Sequence, residues 1–154
     1  MTTQIVAAET FLAGLLGPAL TAAGLTYTNA AGTVRPRLFS NLAEAGVPEP
    51  YVVMQNMSTG TIRRVMNGNS IWADLEYIVK AVARSRTWAG VNSGQVLSLD
   101  AIAVLIDATL HNTSGTAGGR TIVECRQLRE YLFQETPDAL TYRHLGSRVQ
   151  LLVS

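Results

Sequence analysis

The sequence predicts an α+β domain: a mostly antiparallel four-stranded sheet covered by an N-terminal helix and one central helix, with a protruding β-arm. Three observations carry this. Residues Ile71 to Trp88 alternate: Ile71, Ala73, Leu75, Tyr77, Val79, Ala81 and Ala83 are apolar, while Trp72, Asp74, Glu76, Ile78, Lys80, Val82, Arg84 and Arg86 are mostly charged. Strand side chains point to opposite faces with a period of two, so this is one long strand with a core face and a face for water or a partner. Two other stretches, Gln4 to Leu16 and Ser98 to Leu110, repeat their apolar residues at helical spacing. Three further stretches, Tyr51 to Met57, Arg120 to Gln134 and Tyr142 to Val153, read as strands between turn signals.

The 154 residues fit a single domain, 1–154, long enough to bury a core. The apolar fraction is 47% and the charged fraction 15%, a low charge content that points to oligomerisation. The formal net charge is +1, so nothing global steers the chain to nucleic acid or to anionic membranes. Lys80 stands alone beside eleven arginines. Arginine suits interface ion pairs, but a GC-rich coding sequence is the favoured explanation of the bias. Cys125 is the sole cysteine, which excludes an intrachain disulfide and a thiolate metal cluster and fits a reducing compartment. Met1 to Ala8 has no basic region ahead of an apolar run, so no secretory signal is expected there. Phe11 to Leu25 is broken by Gly14, Gly17, Pro18 and Thr21, so no apolar stretch of spanning length and a soluble protein are expected.

In chain order, Thr2 or Thr3 caps the first helix, and Ile5, Ala8, Leu12, Leu15 and Leu16 share one side. Gly17-Pro18 ends or kinks it. Asn29-Ala30-Ala31-Gly32 is a turn, and Val34 to Phe39 an extended piece confined to an edge by Pro36. Ser40 to Pro50 is a loop. Ser58 to Ser70, with Asn67-Gly68 as a favoured tight turn, is too long for a simple hairpin and reads as the arm, with Arg63 and Arg64 near its tip. Gly90 to Gly94 is a break. Ser98 caps the second helix, whose stripe is Leu99, Ile102, Leu105, Ile106, Thr109 and Leu110. Thr113 to Gly119 reads as a small-residue loop. The strand from Arg120 has imperfect alternation and a bulge. Thr136-Pro137-Asp138 turns the chain into its last strand, with Leu145, Val149, Leu151 and Val153 on one face.

Motifs for catalysis, cofactor or metal are absent from this pattern. His111 and His144 lack ligand-spaced neighbours. A Cys125–His144 nucleophile pair has no supporting motif. Ser114 to Arg120 is glycine-rich but follows a helix and precedes a strand, the wrong order for a phosphate cradle. Asp74 and Glu76 share a strand face with no cleft implied. That face is polar end to end: acids Asp74 and Glu76 at its start, bases Lys80, Arg84 and Arg86 at its far end, the ends roughly 30 Å apart at strand rise. Cross-strand partners in the same chain can match this polarity, and so can a neighbouring copy placed head to tail.

The order of these pieces resembles the tail-terminator family of long-tailed bacteriophages and phage-like particles. The resemblance is carried by the Gln4–Leu16 helix, Pro50-Tyr51-Val52-Val53 opening a strand, the alternating strand from Ile71 and the Ser98–Leu110 helix. Arg126-Gln127-Leu128 and the closing Tyr142-Arg143-His144 strand complete it. It implies a virion protein without enzymatic activity or cofactor, assembled in a bacterial cytoplasm and sited at the tail–neck junction. Its implied partners are its own copies in a ring, usually six, the major tail tube protein and a head–tail connector or stopper, with DNA passing through the ring. Arg63, Arg64, Asp74, Glu76, Lys80, Arg84 and Arg86 are the candidate interface residues. A head–tail adaptor or stopper, a small α+β enzyme or ligand-binding module, and a single-strand nucleic-acid binder using Trp72 and Trp88 are the alternatives.

Overall fold

The structure, a computed structural model, describes residues 3–57, 61–64, 71–84, 87–89, 96–137 and 140–154. Helix α1 runs Gln4–Ala22. Thr3 caps it, its hydroxyl accepting from the Val6 N–H at 3.3 Å. The expected stop at Gly17-Pro18 does not occur. Pro18 faces solvent, and the carbonyl its ring would crowd belongs to Gly14. The added turn brings Leu20 and Leu25 into the core, where both are buried. Each is worth about 1.5–3 kcal/mol, together offsetting the ~3 kcal/mol of an interior proline. The buried side is Ala7, Ala8, Phe11, Leu12, Leu16 and Leu20, whereas Ile5 of the expected stripe is 37% exposed. By length and composition α1 could cross a membrane, which corrects the expectation of no such stretch. Here its apolar face covers the sheet.

Strands β1 (Thr26–Thr28) and β2 (Val34–Pro36) form an antiparallel ribbon. Asn29 shapes its turn: Oδ1 accepts from the N–H groups of Ala31 (3.1 Å) and Thr33 (2.9 Å). The extended piece expected from Val34 to Phe39 is broken at Arg37, and its second half is β3 (Leu38–Ser40). There follow β4 (Tyr51–Asn56), β5 (Thr61–Arg64), β6 (Ile71–Ala83), β7 (Thr87–Ala89) and β8 (Val96–Ser98). Helix α2 spans Leu99–Leu110, capped by Ser98, whose Oγ accepts from the Ala101 N–H at 3.1 Å. Strands β9 (Thr113–Ala117), β10 (Arg120–Glu135) and β11 (Tyr142–Val153) close the chain.

The main sheet has seven strands, in the order β3-β4-β6-β11-β10-β9, with β5 beside the first residues of β6. This corrects the four-stranded expectation. Three strands add to the central four: β3, parallel to β4; β5; and β9. The predicted loop Thr113 to Gly119 is in fact β9 and a tight turn. Gly118 and Gly119 both take positive φ, 55° and 76°, as a two-residue hairpin turn with the strands' twist requires.

The long strand ends sooner than its alternation suggests. Tyr51–Val82 and Arg143–Ala83 are its last rungs on β4 and β11. Beyond them the Arg84 N–H turns to the Glu49 carboxylate, and Thr87–Ala89 pairs separately with β8. At the other end, Arg63 lies opposite Trp72 and Arg64 opposite Ile71, past Val153–Ala73, the last rung to β11. The arm expected between these strands lies outside the described residues. Asn67-Gly68 and Gly90 to Gly94 lie outside the described residues.

The core face of β6 is as predicted: Ala73, Leu75, Tyr77, Val79, Ala81 and Ala83 are buried under α1 and α2 with Val149, Leu151 and Val153 of β11. Tyr77 keeps its hydroxyl partnered there. It accepts from Asn56 Nδ2 at 3.2 Å and donates to the Ile5 carbonyl at 3.4 Å, and burial pushes its pKa up to about 12.

Candidate assembly interface

The groups able to do chemistry are kept apart. Cys125 is fully buried on the helix-covered face, and desolvation pushes its thiol up to about 11. It pairs with Leu151, whereas His144 pairs with Phe133 and Val82 on the opposite face. The seven-residue offset along β11 is about 23 Å at strand rise. His111 ends α2, its Nδ1 accepting from the Gln127 N–H at 3.2 Å. Among the described residues no group of three or more His, Cys, Asp or Glu could hold a metal ion.

The charged face of β6 is half-roofed by its own sheet. Ile78 and Val82 are buried, so this face is less open than alternation alone implies. Glu76 accepts from Arg148 of β11, from Nε at 3.0 Å and also from Nη2. Arg84 donates through its backbone N–H and its Nε to Glu49 Oε2, at 3.0 and 3.1 Å, tying the end of β6 to the loop ahead of β4. Lys80 extends across β11 to β10, its Nζ 5.5 Å from the centre of the Tyr131 ring. The residue between them is Gly146, paired with both. An added Cβ there would overlap the Val79 carbonyl and the Lys80 Cα. Burial lowers the Lys80 pKa, and Glu135 opposes that shift.

Asp74 is half-buried on the same face. Arg63 and Arg64 are placed on β5 by backbone pairing. Arg86 lies outside the described residues. The candidates are therefore not gathered into one patch: Glu76, Lys80 and Arg84 each have a partner in their own chain. The partners Arg148, Glu49 and Tyr131 were not legible beforehand, since a cross-strand pair such as Arg148–Glu76 spans 72 positions.

Two further clusters lie outside the candidate set. His144 is buried, with Nε2 2.9 Å from Glu135 Oε1 and its ring edge-on to Phe133 at 5.5 Å. Desolvation lowers its pKa despite the carboxylate; the ring nitrogen that can donate to Glu135 is Nε2. Arg37 is 2% exposed. Its Nε donates to the Thr26 carbonyl at 2.8 Å and its Nη1 to those of Glu49 and Pro50 at 3.4 and 3.5 Å, so one guanidinium joins β1 to the loop entering β4.

The open surface lies at the far end of β10. Strand β9 covers β10 only as far as Cys125. After Gln127, no strand among the described residues pairs with that edge. Leu128 is 42% exposed, Leu132 71% and Phe133 47%. Residues Glu130, Leu132 and Gln134 pair with Ser147, Leu145 and Arg143 on the face that α2 covers elsewhere. Here a hollow of about 290 Å³ separates helix from sheet, with Asp100, Val104 and Asp107 on one wall and Gln127, Glu130 and Leu145 on the other. Asp107 Oδ1, buried, takes no hydrogen bond from a described residue. A free, partly apolar strand edge is a template for pairing with another chain.

Comparison with known proteins gives a likeness of fold. No protein-family model matches the chain. No curated protein matches it. Among solved structures, a chain from the "Virion of native gene transfer agent (GTA) particle" superposes with a TM-score of 0.54 at 14% identity, covering 93% of this chain and 98% of that one.

Proposed function

We propose that the chain is a structural virion protein that forms a ring, a homohexamer, at the head-proximal end of a tail tube. There it ends tube polymerisation and presents the surface on which the head's neck docks. The observation that supports this most is the likeness of almost the whole chain to a chain of a gene transfer agent virion. The buried Cys125, the separated histidines and a strand edge open to protein contact accord with assembly in place of catalysis. In this reading, one ring face copies the tube subunit's own contact and seats on the last tube ring. The other face lacks that geometry, so growth stops and the neck binds. The partners are other copies, the tube protein and a connector, with DNA passing through without sequence-specific contact. Arg63, Arg64, Arg84 and Arg86 supply charged contacts at the ring or tube interfaces.

Charge reversal tests this: Arg63→Glu together with Arg64→Glu leaves the melting curve of the chain unchanged and impairs joining to tails. Joined heads on tails of normal length in that variant would contradict the assignment.

A further inference from the structure

We propose that the free edge of β10 is self-complementary, and that two copies of the chain pair along it about a two-fold axis through Leu132, continuing one sheet into the other.

The edge from Leu128 to Glu135 has no neighbouring strand among the described residues, while Gln127 just before it is already bonded to His111. Natural edges are blunted by charged side chains, proline, β-bulges or short length. This one is bulged between Gln127 and Arg129 and carries Arg129, Glu130 and Glu135, but its centre, Tyr131 to Gln134, is uncharged and exposes Leu132 and Phe133. Its surface therefore suits cover by a strand.

The occupant follows from the strand's own register. In an antiparallel pair, residues directly opposite share a face. A two-fold perpendicular to the sheet at Leu132 sets Leu132 against Leu132, Tyr131 against Phe133, Glu130 against Gln134 and Arg129 against Glu135. Tyr131 and Phe133 both lie on the Lys80 face, since they pair with Gly146 and His144. Arg129 and Glu135 share that face too, opposite Arg148 and Tyr142. Two aromatic pairs and two opposite-charge pairs thus flank a leucine pair, each a favourable cross-strand combination. On the other face, Gln134 is paired with Arg143. Glu130 of one copy therefore lies two strand spacings from Arg143 of the second, about 10 Å between backbones and within reach of two long side chains. Moving the axis to Tyr131 would set Arg129 against Phe133 and Glu130 against Leu132. Moving it to Phe133 would carry Arg129 and Glu130 past the strand's end. Only the Leu132 axis matches charge with charge and ring with ring. On each copy Leu132 lines a second hollow with Leu99, Gln134, Arg143 and Leu145, and the axis sets the two copies of it side by side.

Such a contact is isologous and closes on two copies. It is therefore separate from the head-to-tail contact that builds a ring, and its test does not depend on tail assembly.

Mass by light scattering on the purified full chain decides it. The wild type is expected at twice the 16.5 kDa chain mass in the tens of micromolar. Leu132→Lys, which sets two cations face to face on the axis, and Arg129→Glu should each weaken pairing at least tenfold with an unchanged circular dichroism spectrum. Arg129→Glu combined with Glu135→Arg should restore it. Leu132→Cys should form an interchain disulfide under mild oxidation, because opposed strand residues lie about 4.5–5.5 Å apart at Cα, within disulfide range. A monomeric wild type, a wild-type oligomer indifferent to Leu132→Lys, or failure of the charge swap to restore pairing would each overturn the proposal. So would a Leu132 that becomes covered only when a different protein binds.

Discussion

Arg148 grips Glu76 diagonally across the β6–β11 ladder, with Nε 3.0 Å from one carboxylate oxygen and Nη2 on the same atom. Both side chains are a little over a quarter exposed, so the pair sits between a solvated bridge and a buried one. Either single change, Arg148→Met or Glu76→Gln, should lower stability by about 1 kcal/mol, and the double variant by scarcely more than one single. Urea denaturation of the four proteins gives the coupling. Strictly additive losses would show that the two groups do not act together.

Gly146 allows the closest approach in the sheet. Gly146→Ala would drive a methyl group into the Val79 carbonyl and the Lys80 backbone, neither of which can retreat without breaking the ladder. A loss of about 3 kcal/mol or more is expected, read as a lowered urea midpoint with an unchanged slope. A neutral Gly146→Ala would mean that β6 and β11 are not in this register.

Arg37 bonds three backbone carbonyls from inside the protein. Lysine keeps the charge but has no planar fork to reach all three. Arg37→Lys should therefore cost about 1–3 kcal/mol for each carbonyl left unpaired. For a chain of this size each kcal/mol corresponds to about 2–4 °C in melting temperature. A change in melting temperature within error would show that the carbonyls find other donors.

His144 contributes to the acid side of the stability profile. Its folded pKa is depressed below the ordinary 6.5, first by burial, with Lys80 adding to the effect and Glu135 opposing it. The unfolded chain therefore binds this proton more readily than the folded one. Stability at this site is complete above 6.5 and falls as the pH drops from there towards the folded pKa, levelling out below it. His144→Gln should flatten that part of the profile. Denaturation midpoints between pH 5 and 8 measure it, and an unchanged slope in the variant would assign the acid loss to other groups.

Much of the sheet was legible because burial writes itself into alternation. Ala73, Leu75, Tyr77, Val79, Ala81 and Ala83 read as a core face and are one. The helix stripe Leu99, Ile102, Ile106 and Leu110 was equally plain. Where the reading failed, tertiary partners decided. Past Ala83 the alternation leaves the main sheet, and Thr87 and Trp88 pair with β8 instead. Pro18 is tolerated because it faces water while Leu16 and Leu20 on either side of it are buried. The Ser, Gly and Ala of β9 have little strand preference of their own, and the strand is held by β10. The charges of the long strand could be seen, but not their partners. Whether Glu76 meets Arg148 or a neighbouring copy depends on a register set 72 residues away.

The central claim is that this chain ends a tail tube, and tail length is its most direct measure. Particles made without the chain, imaged by electron microscopy, should show tubes of uncontrolled, excessive length and no joined heads. Tubes of normal length that merely lack heads would move the chain to the neck as an adaptor, and normal tails joined to heads would contradict the account outright.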